Sequence, residues 1–224
     1  MGAYIPKDPI TLRQKGALFA LADGVRSNPG GEVASRLAVK SVLSAYYAFP
    51  LPDPTRGLQT AVALANSQLV YRSMVRSNLR GMSTTLTVVV VQGNELNIAH
   101  VGNSKAYLVR CNQIRQLTRD HTWTANAIAQ GLLTPEEAAF HPWKHYLTRS
   151  LSRQSVIIDI SRVTWVPGDR LVLCSDGVSD FLTPHEIGWL SMYPVRKAAK
   201  ALVEIAWLRG GRDDASAMVV LLGW

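Results

Sequence analysis

The stretch GALFALADGVRSNPGG, residues 16–31, contains an apolar run that ends on an Asp-Gly dipeptide at Asp23. A short apolar run bounded by turn residues is typical of a buried strand, so we predict a strand over residues 16–22. The same arrangement returns in DRLVLCSDGVSD, residues 169–180, where a second apolar run ends at Asp176 and another glycine. The chain therefore places an acidic residue at the end of a predicted buried strand twice.

Asp23, Asp176 and Asp213 are candidate metal ligands, because each lies at an end of a predicted strand. Carboxylate and carbonyl oxygens are the ligands that Mg²⁺ and Mn²⁺ prefer, and clustered carboxylates repel one another unless a cation neutralises them. Glycine allows the backbone to approach an ion closely, so the Gly24 carbonyl is a further candidate. Asp-Gly is also a common turn dipeptide. The residues alone leave both interpretations open.

The first half of the chain predicts helices followed by a block of strands. Apolar residues recur with helical spacing at about 30–49 and 57–78, on either side of a proline-rich loop at 50–57. Residues 122–146 predict short helices that form a flap beside the core. Between the second of these helices and the flap lie four short predicted strands, which we interpret as an antiparallel meander. Their sequences are TTLTVVVV, ELNIAHV, KAYLVR and QIRQLT.

The second half repeats this grouping. A Pro-Gly turn at residues 167–168 predicts a strand pair, which is followed by two helices and a final strand in DASAMVVLLGW. The predicted pair is SVIIDISRVTWV with DRLVLCSD, and the helices are PHEIGWL and VRKAAKALVEIAWLRG. Strict alternation of strand and helix is absent, which argues against a doubly wound parallel sheet. We therefore predict an α+β fold in which helices cover layered antiparallel sheets.

Composition and charge narrow the class of protein. The chain has 224 residues, of which 47% are hydrophobic and 18% charged, which is typical of a globular protein with one large core. The net charge of +8 favours anionic partners, but the basic residues are scattered singly, so we expect no nucleic-acid surface. The longest apolar run is too short to span a bilayer, and the N-terminus lacks a signal pattern. We expect a cytoplasmic protein without membrane contact.

Seven segments, read in order, resemble the metal-dependent protein phosphatases of type 2C. Together they cover about residues 16–222, and the N-terminal GAYIPKDP is further similar to the phosphatase half of bacterial proteins that fuse such a domain to a protein kinase. The segments are LFALADGV followed by GGEVAS, then GMSTTLTVVVV, IAHVGNSKAYLVR, QLTRDHTW, HYLTRSLS, GDRLVLCSDGVSDFL and GGRDDASAMVVLL.

The resemblance implies hydrolysis of phosphoserine and phosphothreonine in proteins, by a single domain over residues 1–224. It implies a four-layer α-β-β-α sandwich with two central antiparallel sheets. Asp23 matches the acid that bridges two Mn²⁺ or Mg²⁺ ions, and Gly24 matches the residue that gives its carbonyl. Asp176 and Asp213 match the remaining ligands of the first ion. These three acids are the expected catalytic residues, because a metal-bridging water attacks phosphorus. The implied partners are phosphorylated proteins and a cognate kinase.

Two of the sequence's departures from the family's pattern concern expected metal ligands. The family has an acidic pair on a strand before the Asp-Gly, and the only upstream acid here is Asp8. Either Lys7 and Asp8 replace the pair, or the pair precedes Met1 and the domain lacks its first strand. In addition, Asn103 stands where the family has an aspartate, so we expect it to bind an additional ion only weakly. The alternative is a catalytically impaired pseudophosphatase that binds a phosphoprotein or a kinase.

Polar residues in the other family-like segments are expected to support the fold. We expect His121, in QLTRDHTW, to have a structural rather than a catalytic role. Ser83, Thr84 and Thr85 lie near the entrance of a predicted strand, where contact with the substrate phosphate is an open alternative.

Overall fold

The computed structural model describes residues 1–49, 52–211 and 214–223. Nine strands within these residues form two antiparallel sheets. The strands are β1 (Gly2–Tyr4), β2 (Ala17–Leu21), β3 (Leu86–Gln92), β4 (Glu95–Val101), β5 (Lys105–Arg110), β6 (Gln113–Gln116), β7 (Asp159–Thr164), β8 (Arg170–Cys174) and β9 (Ala217–Leu221). One sheet has the order β1-β2-β3-β4-β7 and the other the order β6-β5-β8-β9.

Eight α-helices lie in the same described residues, and one 3₁₀ turn at Ser77–Leu79 follows the third. None of them is long and apolar enough to cross a bilayer. The helices are α1 (Pro9–Lys15), α2 (Gly31–Ala48), α3 (Pro54–Val75), α4 (Trp123–Ala129), α5 (Pro135–Phe140), α6 (Asp176–Ser179), α7 (Pro184–Ser191) and α8 (Val195–Leu208).

The two sheets lie face to face, and helices cover both outer surfaces. Strand β2 is apolar at every position because it lies between two hydrophobic cores. Leu18 and Ala20 pack against α2 and α3, whereas Phe19 and Leu21 face the second sheet. A third core lies between β5, β8 and β9 on one side and α7 and α8 on the other. Successive side chains of a strand point to opposite faces, so a strand between two cores is apolar at every position. The predicted four-layer α-β-β-α sandwich is confirmed.

The predicted strand pairings are wrong in two places. The predicted meander is divided, because β3 pairs with β4 in one sheet while β5 pairs with β6 in the other. Likewise β7 pairs with β4 and β8 pairs with β5 and β9, so the Pro-Gly turn joins the sheets and does not close a hairpin. A short connection in sequence does not distinguish a hairpin from a step between stacked sheets.

The N-terminal segment and one helix start also differ from the prediction. Strand β1 and helix α1 were not predicted. Helix α1 is capped by Asp8, whose carboxylate accepts hydrogen bonds from the backbone N–H groups of Ile10 and Thr11. Helix α3 begins at Pro54, within the predicted loop, with Asp53 as its capping residue. Proline is favourable in the first turn of a helix, where its missing N–H needs no partner. The prolines therefore mark a helix start here as well as a loop.

Candidate active site

A cavity of about 640 Å³ opens where strand ends of the two sheets meet. Asp23 follows β2 of the five-stranded sheet, and Asp176 follows β8 of the four-stranded sheet. Asn103 lies in the connection that crosses from one sheet to the other. The residues that line the cavity are Asp23, Gly24, Val25, Arg26, Ser27, Thr85, Asn103, His145, Leu147, Asp176, Gly177, Asp180, Phe181 and Gly210. The structure thus brings together four of the five predicted site residues, Asp23, Gly24, Asn103 and Asp176.

The backbone of Asp23 is fixed by two threonines that precede β3. Its N–H donates to Thr85 Oγ1 at 2.9 Å. Its carbonyl oxygen accepts from the Thr85 N–H and from Thr84 Oγ1, both at 2.8 Å. The Thr85 hydroxyl also hydrogen-bonds Ser104 Oγ at 2.7 Å, and both hydroxyls are buried. Thr84 and Thr85 therefore hold a strand end in place, which gives them a structural task in addition to any contact with a substrate.

Gly24 has a packing reason to be glycine. A Cβ at this position would lie 2.4 Å from the carbonyl carbon and oxygen of Gly31, at the start of α2. No L side chain fits at that distance, because real Cβ contacts are more than half an ångström longer. The loop after Asp23 therefore folds closely onto the first turn of α2, and Gly24 itself lines the cavity.

Asp176 begins α6 and is held from two sides. The Asn103 side-chain amide donates a hydrogen bond to Asp176 Oδ2 at 2.8 Å. The preceding residue, Ser175, accepts the N–H of Ser216 and donates from its hydroxyl to the carbonyl oxygen of Asp214. Asn103 is 6% exposed, so its amide partly satisfies a carboxylate in a poorly solvated place. An aspartate at 103 would place two carboxylates within hydrogen-bond distance, an arrangement that requires a proton or a cation.

Asp213 lies outside the described residues, so its role as a ligand stays a prediction. Its neighbour is placed: the carbonyl oxygen of Asp214 accepts from Ser175 Oγ at 3.2 Å. A Cβ at Gly177 would lie 2.8 Å from the same oxygen. The segment that contains Asp214 therefore packs directly against the start of α6.

Sequence reasoning missed two further side chains at this cavity. Ligand atoms of His145, Asp176 and Asp180 lie within 4.8 Å of one another. His145 Nδ1 lies 3.4 Å from Asp180 Oδ2. Burial and the neighbouring Asp176 carboxylate raise the pKa of Asp180. Asp180 follows Asp176 by one helical turn, a spacing that could have identified it. His145 comes from the flap, and no local pattern in the sequence connects it to the strand ends.

The donor chemistry of these residues fits a hard divalent cation. The cavity offers the carboxylates of Asp23, Asp176 and Asp180 and the carbonyl of Gly24, which are oxygen donors. Lys105, one residue beyond the crossing connection, is paired with Asp120 at 2.6 Å, on β5 next to the cavity. Among the described residues that line the cavity, three carboxylates face one Lys or Arg side chain, Arg26. A bound cation would balance this excess of negative charge.

Asp8 does not take the place of the family's upstream acidic pair. Strand β1 pairs with β2 so that Gly2 lies opposite Ala20 and Tyr4 opposite Leu18. The chain after Tyr4 therefore runs away from Asp23, and Asp8 caps α1 beyond the opposite end of the strand. Of the two alternatives, Lys7 and Asp8 as the replacement is wrong. A pair that precedes Met1 stays a prediction.

Comparison with known proteins agrees with this geometry. Residues 8–209 match the family model described as protein phosphatase 2C. The chain belongs to this family. It is 36% identical over 204 residues to the serine/threonine protein phosphatase PstP of Mycobacterium tuberculosis, a match that covers 91% of this chain and 40% of that protein. It is 31% identical over 208 residues to the protein phosphatase PhpP of Streptococcus pneumoniae, covering 91% of this chain and 85% of that protein.

Solved structures of the family share the fold. A crystal structure of M. tuberculosis PstP superposes with a TM-score of 0.86 at 35% identity, and the match covers 93% of this chain and 90% of that one. The catalytic domain of PstP in complex with two manganese ions superposes with a TM-score of 0.80, also at 35% identity, over 92% of this chain and 89% of that one. The chain spans two fifths of the length of full-length PstP.

Proposed function

We propose that this protein is a Mn²⁺- or Mg²⁺-dependent phosphatase that hydrolyses phosphoserine and phosphothreonine in other proteins. The observation that carries the proposal is that Asp23 and Asp176, from the ends of strands in two different sheets, line one cavity within a family match over residues 8–209. The manganese ions in the PstP crystal structure support the choice of metal.

Asp23, Gly24, Asp176 and Asp213 are the residues that would hold the ions in this chain. When bound, two such ions supply an acidified water and neutralise charge on the phosphoryl oxygens. The hydrogen bonds to Thr84 and Thr85 fix the backbone of Asp23, so only its side chain would have to adjust to hold an ion.

The chain's own residues also supply groups for the substrate. Arg26 is the one Lys or Arg side chain among the described residues that line the cavity. A guanidinium matches the geometry of phosphate oxygens, so Arg26 would bind and orient the phosphoryl group. His145 and Asp180, whose Nδ1 and Oδ2 atoms lie 3.4 Å apart, would offer further hydrogen-bonding groups to a substrate at the same cavity. Leu147 and Phe181 complete the wall between these polar groups.

The test is hydrolysis of a phosphothreonine peptide with added Mn²⁺. We expect activity that a chelator abolishes and that Asp23→Asn lowers by more than the ~10–100-fold typical of residues that only support a metal ligand. Asp8→Asn is the matched control, because Asp8 caps a helix at the opposite end of β1 and asparagine caps equally well. Activity that survives both the chelator and Asp23→Asn would overturn the proposal.

A pseudophosphatase is the second candidate, and one contact favours it. Asn103, which stands where the family has an aspartate, gives the Asp176 carboxylate a neutral hydrogen-bond donor in place of a second acid. Calorimetric titration with Mn²⁺ separates the two functions. Two ions per chain support the enzyme, whereas one weakly bound ion together with retained binding of a phosphopeptide supports the pseudophosphatase.

We infer that a Ser/Thr protein kinase is the natural counterpart of this chain, because the proposed reaction consumes the product of such a kinase. The similarity of GAYIPKDP to kinase-fused phosphatases supports a kinase that is fused or encoded nearby. The cytoplasm remains the predicted location. Dephosphorylation of that kinase's autophosphorylated form, compared with an unrelated phosphoprotein, tests the pairing.

A further inference from the structure

Several side chains hold the connection between β4 and β5, residues 102–104: Thr85 and Thr87 bond Ser104, His100 Nε2 lies 3.0 Å from the Gly102 carbonyl oxygen, and His121 reaches it from the segment after β6. The Gly102 N–H donates to His121 Nδ1 at 3.0 Å. The Gly102 carbonyl oxygen accepts from the His121 N–H at 2.8 Å. Gly102 has a φ of 114°, and a Cβ there would lie 2.6 Å from the Thr85 side chain, so this position requires glycine. His121 therefore engages both backbone polar groups of a residue that has no side chain of its own.

The hydrogen bond from Gly102 determines the tautomer of His121. Because Nδ1 accepts that N–H, the ring proton lies on Nε2, which faces Asp159 Oδ2 at 3.0 Å. Burial opposes the charge of Asp159, but the contacts with His121 and then Arg149 lower the pKa of this carboxyl overall; Arg149 donates to its other oxygen at 2.6 Å and lies 3.2 Å from His121 Nε2. Burial lowers the pKa of His121, which keeps the ring neutral beside His100. A neutral His121 can accept from Gly102, whereas a protonated one cannot.

The same residue also fixes the return of the flap to the core. The His121 carbonyl oxygen accepts from the Thr148 N–H at 2.9 Å, and Thr122 bridges to Leu147. His145 and Leu147 line the cavity from this segment. His121 thus connects two parts of the cavity wall that are far apart in sequence: the crossing connection with Asn103, and the flap segment with His145 and Leu147.

We propose that His121 is a positioning residue for the phosphatase reaction, which places Asn103, and through it the Asp176 carboxylate, at the cavity. The proposal rests on the proposed function. Asn103 follows Gly102 directly, and its amide meets Asp176 at 2.8 Å, a distance that leaves little room for displacement. Misplacement of a supporting group by about 1 Å can cost ~100-fold in rate, so the anchor of this connection matters for activity as well as for folding.

Two substitutions separate the two ends of the His121 ring. In His121→Asn the side-chain oxygen takes the approximate place of Nδ1 and can accept from Gly102, but it loses Asp159. In His121→Gln the side-chain amide takes the approximate place of Nε2 and can donate to Asp159, but it loses Gly102. Both variants remove the ring from the same buried position, so they share the packing loss. Their difference isolates the contact with the crossing connection.

We expect His121→Gln to lower kcat for a phosphothreonine peptide and the affinity for Mn²⁺ by about 10–100-fold, the range typical of supporting groups at metal sites. We expect His121→Asn to retain both within about 3-fold of the wild type, a fraction of that loss. Thermal unfolding should show similar losses for the two variants. Equal kcat values in the two variants at equal folded fraction, or a loss that follows their unfolding temperatures, would overturn the proposal.

The failure of the proposed function is distinguishable from the failure of this one. If the wild-type chain hydrolyses no phosphopeptide, the proposed phosphatase function is rejected. The contact between His121 and Gly102 can still be tested, by a measurement that does not depend on activity. In hydrogen-exchange measurements on the full chain, followed by ¹⁵N–¹H spectra, the Gly102 amide should lose protection in His121→Gln and keep it in His121→Asn, where a side-chain acceptor remains. The opposite pattern, or equal protection in the two variants, would show that His121 does not place this connection through its ring.

Discussion

The floor and the rim of the cavity are built on opposite principles. The floor, which we define as Asp23, Thr85, Asn103, Ser104 and Asp176, is joined by hydrogen bonds of 2.7–2.9 Å between groups that are mostly buried. The rim, which we define as Arg26, Ser27, His145 and Asp180, consists of loop and flap residues, and the side chains of its His145–Asp180 pair are 53% and 32% exposed. The floor fixes acidic groups in advance, whereas the rim can adjust to what enters.

This difference follows from what each part has to hold. Carboxylates that face one another repel, and only a fixed scaffold keeps them in place until a cation arrives. Because the scaffold is buried, each of its hydrogen bonds costs more to lose than an equivalent bond at the surface. A substrate phosphoryl group, in contrast, arrives with a variable peptide. Exposed side chains such as Arg26 can meet it without a loss of core packing.

The largest expected effect comes from the same substitution made in both regions. Asp176→Asn removes a floor carboxylate, and we expect kcat with Mn²⁺ to fall by more than ~100-fold, the upper end of the effect of a supporting group. Asp180→Asn makes the same change one helical turn away, at the rim, and we expect about 10-fold or less, the lower end of that range. Steady-state kinetics on a phosphothreonine peptide measures both. Equal losses of kcat in the two variants would mean that Asp180 is as important as the floor residues, which would contradict the distinction between floor and rim.

A hydroxyl of the floor gives the next largest effect. Thr85→Val keeps the shape of the side chain but leaves the Asp23 N–H and the Ser104 hydroxyl without their partner. We expect a loss of about 1–3 kcal/mol in the free energy of unfolding, the usual cost of an unsatisfied buried group, and a fall in kcat. Urea denaturation and kinetics check the two effects. The control is Ser27→Ala at the rim, where a change in stability as large as that of Thr85→Val would contradict the comparison.

Much of the floor could be predicted from the sequence, because it is built from local patterns. The apolar runs before Asp23 and Asp176 indicate buried strands, and a buried strand that ends in an acid and a glycine suggests a site. Neither the pairing of β5 with β8 nor the separation of β4 from β5 follows from those patterns. Periodicity reports that a strand is buried on both faces but not which sheet contains it.

Sequence patterns do not predict most of the rim. His145 reaches the cavity only because Thr148 and Leu147 join the flap to the core near His121 and Thr122, contacts between segments more than 20 residues apart. Such long-range contacts leave no periodic signal. The structural role expected for His121 agrees with its buried hydrogen bonds, but no sequence pattern indicates that its partner is the backbone of Gly102.

A smaller effect should come from restoring the family's acid. In Asn103→Asp the new carboxylate faces Asp176 across the distance that the amide now bridges. Without metal we expect a lower melting temperature, equivalent to about 1–3 kcal/mol, because a hydrogen bond to a charged group is replaced by repulsion. Saturating Mn²⁺ should remove most of this loss. Calorimetry with chelator and with Mn²⁺ checks both points, and Asn103→Ala controls for loss of the amide alone.

The outcome of that experiment bears directly on the floor. A variant that Mn²⁺ stabilises more than it stabilises the wild type shows that the position faces an ion site. If Asn103→Asp is as stable as the wild type in chelator, the two side chains are not held against each other, and the floor is less rigid than its hydrogen bonds indicate.

The smallest expected effect lies behind the floor, in the loop that supports it. Leu151 donates its N–H to the Thr84 carbonyl oxygen, and the next residue, Ser152, has a φ of 82°. Its hydroxyl oxygen is buried without a hydrogen-bond partner among the described residues. Left-handed backbone costs a non-glycine residue roughly 1–2 kcal/mol, whereas glycine adopts it readily but loses more entropy on folding. Ser152→Gly should therefore stabilise the protein by about 0.5–1 kcal/mol and leave kcat unchanged.

Urea denaturation of Ser152→Gly and Ser152→Ala tests this strain. Alanine also removes the unpaired hydroxyl but keeps the Cβ, so the gain from the backbone alone is the difference between the two variants. The Ser152 N–H donates to Asn66 Oδ1 at 2.7 Å, and both substitutions retain that bond. A glycine variant no more stable than the alanine variant would mean that the loop bears no backbone strain. A fall in kcat with rising stability would instead show that the floor depends on a rigid Ser152, and that its fixed geometry extends further from the cavity than the hydrogen bonds to Thr84 and Thr85.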